Sequence, residues 1–427
     1  MFSLIKNNVI VKMMLILIIG GIFGIVALMA VFSIPTQKIE KHVCGSVPVL
    51  LKETNYHSVT PGIGGSQLDN YTEAIYMNEA LVGGSKFKSA LSGFRYDIPS
   101  ENGAPVEKLA KVCSNQYERV LIPESSRFFN GYELIIKPLF WLMDYSNLRQ
   151  AQLFIVFFLY LSLCYLMINK GLAIYIIPFT LSFLLLNPVT ISLNMTFVFF
   201  YYCTIIPCIF LLVSNEWLLI NKYRQIFFFQ IIGMAAFYFN MNYFQLITFG
   251  IPLSFFYLLN GVPSNNRTLL IQIVTLFSAW FWGYAGMMIF KWIIYASFFD
   301  HDYFIKMYHH IMFRTSDSFN DVQISRIKAI ITNMEQIESN KVWIVSEIIF
   351  IIYCSYKYIM NKSQFVHKVT TIKGEITLFI VLCIFPIARF FIYANHVYIH
   401  SWVTYRIMMI SVFAFNVLCV KFCLKKL

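Results

Sequence analysis

Charge is scarce in this chain. Asp, Glu, Lys and Arg make up only 13% of its 427 residues, while 58% are hydrophobic and 18% aromatic. A water-soluble fold of that composition has too little polar surface to cover itself. Other absences narrow the reading. There is no Cys-x-x-Cys and no Cys/His spacing of the metal-binding kind, so neither a zinc module nor a dithiol redox site is expected. No internal repeat and no low-complexity tract occurs, which argues against a transporter built from repeated spans. No nucleotide-sugar motif is present and no soluble cofactor is expected; a divalent-metal requirement is left open.

What the chain has instead is a series of apolar runs, each about the roughly 17–25 residues that cross a bilayer or somewhat shorter. They lie at 13–34, 152–168, 172–187, 196–213, 226–239, 243–259, 269–295, 343–358, 376–394 and 402–420. The first follows Lys6 and Lys12 like the start of a signal peptide. It has no small-x-small cleavage site behind it and is long for such a segment, so it reads as a retained anchor. Breaks such as Asn187-Pro188, Asn240-Met241-Asn242 and the stretch 260–267 carry turn chemistry. The expected fold is an all-α polytopic membrane protein of about ten transmembrane helices, with a mixed extracytoplasmic loop subdomain. It divides into residues 1–34 (first span), 35–148 (large outer loop), 149–298 (spans two to seven), 299–342 (second outer loop) and 343–427 (spans eight to ten).

Charge supports that map. The two long loops hold 11 and 5 of the 33 basic residues and 12 and 6 of the 21 acidic ones, leaving 17 basic and 3 acidic residues for the rest of the chain. Thirteen of those 17, among them Lys6, Lys12, Lys222, Arg224, Lys362, Lys368, Lys425 and Lys426, fall where ten-span counting puts the cytoplasm, which is the positive-inside bias. The net charge of +12 is therefore a topology signal, and no nucleic-acid partner is expected. Both termini are expected inside and both long loops outside. Cys44 and Cys113 are the two cysteines of the first outer loop, while the other seven accompany spans. In an oxidising compartment a Cys44–Cys113 disulfide is expected, with two free buried thiols as the alternative.

Within the first loop, apolar positions from Ser66 to Val82 fit a short amphipathic helix, with Ser66 and Asp69 at capping-box spacing. Three acids, Asp69, Glu73 and Glu79, sit in this stretch. Residues 100–109 read as a turn and a short helix, and residues 131–150 as an interfacial helix anchored by Trp141 and Tyr145. The second loop carries His309, His310 and Arg314 and ends in a polar helical stretch, 324–339. Arg149, Lys291, Arg389 and Arg406 lie near the outer ends of spans two, seven, nine and ten. Cations within a bilayer are costly; the alternatives are snorkelling to headgroups or binding a lipid-linked phosphate through guanidinium forks. For Arg389 and Arg406, which flank "ANHVYIHSW", read as a short tight turn, the second reading is preferred. Asp69, with Glu73 one turn on, is the candidate base for an acceptor hydroxyl; equally, Asp69 serves as a helix cap. His309, His310 and Arg314 are candidate acceptor-side residues.

The layout of a long first outer loop bearing surface helices and an acid, and a second outer loop between spans seven and eight, resembles the GT-C class of polytopic membrane glycosyltransferases. The segment "RFFNGYELIIKPLFWLMDYSNLRQ" from Arg127 resembles one found in bacterial proteins of surface-polysaccharide loci. The resemblance implies transfer of a sugar from a polyprenyl-phosphate sugar donor to a glycan or glycolipid acceptor on the outer face of a bacterial inner membrane, with the lipid bilayer as the surrounding partner. A surface-polysaccharide polymerase would use the same loop and arginines, and a flippase for lipid-linked oligosaccharides is the rival from another class.

Overall fold

The computed structural model describes residues 8–100, 102–123, 126–239, 243–319, 322–360 and 373–423. Asn or Asp stands before several of the long apolar helices and caps them, which is how a run of hydrophobic residues acquires a defined start. Asn8 accepts from the Ile10 and Val11 amides ahead of α1 (Val9–Val31). The first outer loop then supplies α2 (Thr36–Glu53), α3 (Asn70–Leu81), α4 (Lys86–Ser92), α5 (Pro105–Ser114) and α6 (Glu133–Leu142). A two-stranded antiparallel pair, β1 (Phe94–Asp97) with β2 (Val120–Pro123), lies among them. Asp144 caps α7 (Tyr145–Asn169), and Asn187, in a left-handed conformation, caps the short α9 (Pro188–Ser192) that follows α8 (Ile176–Leu185).

Next come α10 (Met195–Leu219), α11 (Lys222–Phe239), α12 (Ile247–Asn260) and α13 (Asn266–Phe298), which Asn265 caps. The second outer loop holds α14 (Tyr303–Thr315) and α15 (Arg326–Glu338). It is followed by α16 (Lys341–Met360), α17 (Lys373–Ile392), the short α18 (Ala394–Ile399) and α19 (Ser401–Thr404), and finally α20 (Met409–Cys423).

Each of the ten apolar runs falls on a helix. Among the described residues, seven stretches are long and apolar enough to cross a bilayer: α1, α7, α10, α13, α16, α17 and Ser401–Cys423. Two further apolar helices are shorter, Ala173–Leu185 and α12. The remaining run forms α11, which packs backbone-to-backbone against α13. A methyl group at Gly233 would sit 1.9 Å from the Trp280 carbonyl oxygen, and one at Gly283 would sit 2.0 Å from that of Gln230. Small residues permit this close approach where no hydrophobic driving force acts between helices in lipid. The protein is an integral membrane protein of α-helices. Lys6, Lys362, Lys368, Lys425, Lys426 and the Asn240-Met241-Asn242 break lie outside the described residues.

Cys44 and Cys113 are joined, tying α2 to α5. The polar stretch 324–339 is helical, as α15. Four local expectations are corrected. Helix α3 starts at Asn70, and its N-cap is Asp69. Ser66 is not the cap, because its hydroxyl bonds the carbonyls of Thr60 and Ile63 within the preceding turn. Nor is α3 amphipathic: apart from Tyr71 every residue is buried, since α2, α5, α6 and β1 surround it. The interfacial helix over 131–150 breaks at Asp144, which starts a new helix. Trp141 stays exposed beneath the Lys38 ammonium, whereas Tyr145 is fully buried. Finally, "ANHVYIHSW" is not a tight turn but the two short helices α18 and α19.

Candidate functional site

The three acids of the first loop diverge to three different partners. Glu79 accepts from the Tyr132 hydroxyl at 2.5 Å. Glu73 reaches the N-terminus of α10 and accepts from the Met195 amide (3.0 Å), the Thr196 amide and hydroxyl (both 2.8 Å) and the Tyr145 hydroxyl (2.9 Å). A helix N-terminus leaves its first amides without intrahelical partners and favours an anion, so a carboxylate from another helix fits there. Burial pushes Glu73 up to about 7 despite those donors. Asp69 caps α3 by accepting from the Thr72 amide at 3.2 Å, and its second oxygen accepts from the Tyr243 hydroxyl, also at 3.2 Å. Burial raises its pKa, and the bonds from Thr72 and Tyr243 only partly offset the rise.

The four intramembrane cations are not gathered in one place. Arg149 forks onto Glu53 at 2.7 and 2.9 Å and also donates to Asn70 and Tyr145. Burial alone would raise Glu53, but Arg149 holds it below the usual carboxylate range. The Lys291 ammonium donates to the Leu91 carbonyl. Arg406, fully buried, donates to the carbonyls of Leu186 (3.0 Å), Trp402 (3.1 Å) and Gly65 (2.7 Å) and stacks over Phe197. Arg389 donates to the Tyr243 carbonyl at 2.9 Å. Three of them therefore border the segment around Asp69: Arg149 through Asn70, Arg389 through Tyr243 and Arg406 through Gly65.

Around Tyr243 the second loop and the α17–α20 connection meet the first loop. Tyr243 lies against the rings of His396 and His400. Arg314, from the end of α14, donates to His396 Nδ1 (3.2 Å) and His400 Nε2 (3.3 Å). Burial, with Arg314 adding to it, pushes His400 down to about 4, so the ring is a neutral acceptor at ordinary pH. His310 is likewise held at about 4 by burial and by the charges of Arg127 and Arg314. His309 is exposed on Tyr308 and takes no part. Among the described residues neither Arg127 nor Arg314 has a carboxylate partner, and Arg127 Nε is buried without a hydrogen bond.

The junction is clamped at several points. Asn395 bonds the Ser316 and Ser318 carbonyls, Asn333 of α15 bonds the Val397 carbonyl, and Ser339 accepts from the Gly64 amide at 2.9 Å. Arg127, Tyr243, His396 and His400 were not singled out by sequence. The i, i+4 pair His396/His400 between two apolar runs was the available signal; for Tyr243 it was only the polar break beside it. Comparison with protein-family models, with curated proteins and with solved structures gives no match. Chemically, the junction offers a buried carboxylate of raised proton affinity, linked through Tyr243 and the rings of His396 and His400 to Arg314, which has donors to give an anion.

Proposed function

We propose that this protein is a membrane glycosyltransferase that moves a sugar from a polyprenyl-phosphate-linked donor to a glycan or glycolipid on the outer face of the membrane. The observation that carries the reading is that buried Asp69, held by Tyr243, is linked through Tyr243, His396 and His400 to Arg314, which feels the charge of Arg127 nearby; neither arginine has an acidic partner among the described residues. Asp69 takes the proton of an acceptor hydroxyl as its oxygen bonds the anomeric carbon. The bond from that carbon to the phosphate oxygen breaks, and the departing phosphate keeps the electron pair. Arg314 and Arg127 then stabilise its charge, with Arg389 behind Tyr243. Glu73, Arg149, Lys291 and Arg406 hold the frame.

The same reading takes all ten apolar helices as spans, both termini in the cytoplasm and the membrane as a bacterial inner membrane; the positive-inside bias supports it. The test is release of polyprenyl phosphate from labelled polyprenyl-phosphate sugars by the purified protein in nanodiscs, with glycan acceptors present. Folded protein that releases none from any sugar donor rejects the proposal. Turnover confined to lipid-linked oligosaccharides identifies a polymerase instead.

A further inference from the structure

A cavity lies beside Gly64, next to the Gly65 whose carbonyl accepts from Arg406. It has a volume of about 340 Å³ and opens between the first-loop segment carrying Ser58, Gly64 and Gln67 and the second-loop residues Glu335, Gln336 and Ser339. That volume falls at the small end of the usual range for ligand pockets. The walls are fixed. Ser339 accepts from the Gly64 amide and donates to the Gln336 carbonyl, and Ser58 bonds Ser66 and the Thr60 carbonyl. Gln336 packs so closely that a methyl group at Gly64 would lie 2.2 Å from its amide oxygen.

Three lining groups remain unengaged by protein among the described residues: the Gln67 amide, the Gln336 amide and the Glu335 carboxylate. Each amide offers two donors and an acceptor, and the carboxylate offers acceptors only. No Lys or Arg lines the cavity, so a phosphate would meet a carboxylate there with nothing to neutralise it. Vicinal hydroxyls match two amides and a carboxylate, and an amino group would match the carboxylate. We infer that this cleft is a saccharide subsite, binding a neutral or amino-bearing sugar unit of the acceptor glycan. The inference rests on the glycosyltransferase reading for its role, because Gln67 stands two residues from Asp69, at most about 7 Å along the chain.

The experiment is saturation-transfer NMR on the full-length protein in nanodiscs, with maltotriose, mannotriose and chitotriose as probes. At least one trisaccharide is expected to bind, and the Gln67→Ala/Gln336→Ala double variant to bind it at least about tenfold more weakly at an unchanged melting temperature. Should the double variant fail to fold, Gln67→Ala alone is read the same way. No binding of any probe by the folded wild type, or wild-type affinity in the folded variant, overturns the subsite. Donor turnover measured on the same preparations separates the two ideas. Trisaccharide binding without any polyprenyl-phosphate-sugar turnover rejects the transferase reading and leaves the subsite standing. Turnover without trisaccharide binding rejects the subsite alone.

Discussion

Asp69→Asn separates the two roles this residue can hold. As a cap, Asp69 uses one oxygen to accept from the Thr72 amide at 3.2 Å; Asn ranks equal to Asp at that position, so the change costs a few tenths of a kcal/mol. The other oxygen accepts from the Tyr243 hydroxyl. With an amide nitrogen there, the hydroxyl rotates and becomes the acceptor, keeping the contact. Together these changes amount to less than about 1 kcal/mol of stability. As a base, Asp69 has no substitute in Asn, and turnover should fall roughly 10²–10⁴-fold, equal to about 3–5 kcal/mol in the barrier. Melting temperature in nanodiscs and release of polyprenyl phosphate, measured side by side, resolve effects of such different size. A folded Asn variant turning over within about threefold of wild type would refute the assignment and leave Asp69 as a cap.

Glu73→Gln turns an amide towards the Met195 amide and the Tyr145 hydroxyl, leaving a buried donor without an acceptor; it is expected to destabilise the protein by about 1–3 kcal/mol, and a melting temperature equal to wild type would contradict that. Arg314→Ala should raise the donor KM about tenfold in folded protein, whereas Arg406→Ala, which strands three carbonyls, should instead lower the melting temperature; the reverse pattern would exchange their roles. His400 titrates at about 4, below its ordinary 6.5, so between those values the unfolded chain binds more protons than the folded one. Its contribution to stability is present above about 6.5 and is lost as pH falls towards 4; His400→Gln should flatten that part of the melting-temperature profile, and an unaltered slope would count against the burial of the His400 ring beside Arg314.

The helices were legible because bilayer length and apolar composition write themselves locally: each run lies on a helix, and the Asn or Asp before it is often its cap. The site was less so, because its contacts join residues far apart in the chain. Asp69 and Tyr243 are 174 positions apart, and Gly65 and Arg406 are 341 apart. The amphipathic reading of 66–82 failed for a related reason. Glu73, Asn78 and Glu79 look like a solvated face, but each finds a buried partner on another element: the start of α10, the β1 backbone and Tyr132. Polar periodicity marks a surface only when the polar groups have no partner inside the protein. The four intramembrane arginines and lysines were conspicuous for their cost in lipid, yet cost alone does not distinguish a ligand site from a frame. The hydrogen-bond partners do, and those are tertiary.

Those partners also bear on the order of events in the proposed reaction. Arg149 answers Glu53, and Arg406 has three carbonyls, so neither needs an anion from outside. Arg127 and Arg314 lie at the junction without one among the described residues, and an arriving donor phosphate would bring negative charge close to Asp69. A like charge nearby disfavours the ionised carboxylate and strengthens it as a base, adding to the rise that burial already causes. Donor binding would then prepare Asp69 for the acceptor's proton. The expected signature lies in the pH–rate profile. The acid limb of kcat, which reports the donor complex, should sit at higher pH than the acid limb of kcat/KM for the donor, which reports the free enzyme. Both limbs should vanish in Asp69→Asn. Coincident limbs, or a kcat limb at the lower pH, would mean that the phosphate does not reach the neighbourhood of Asp69, and the base would have to be sought elsewhere at the junction.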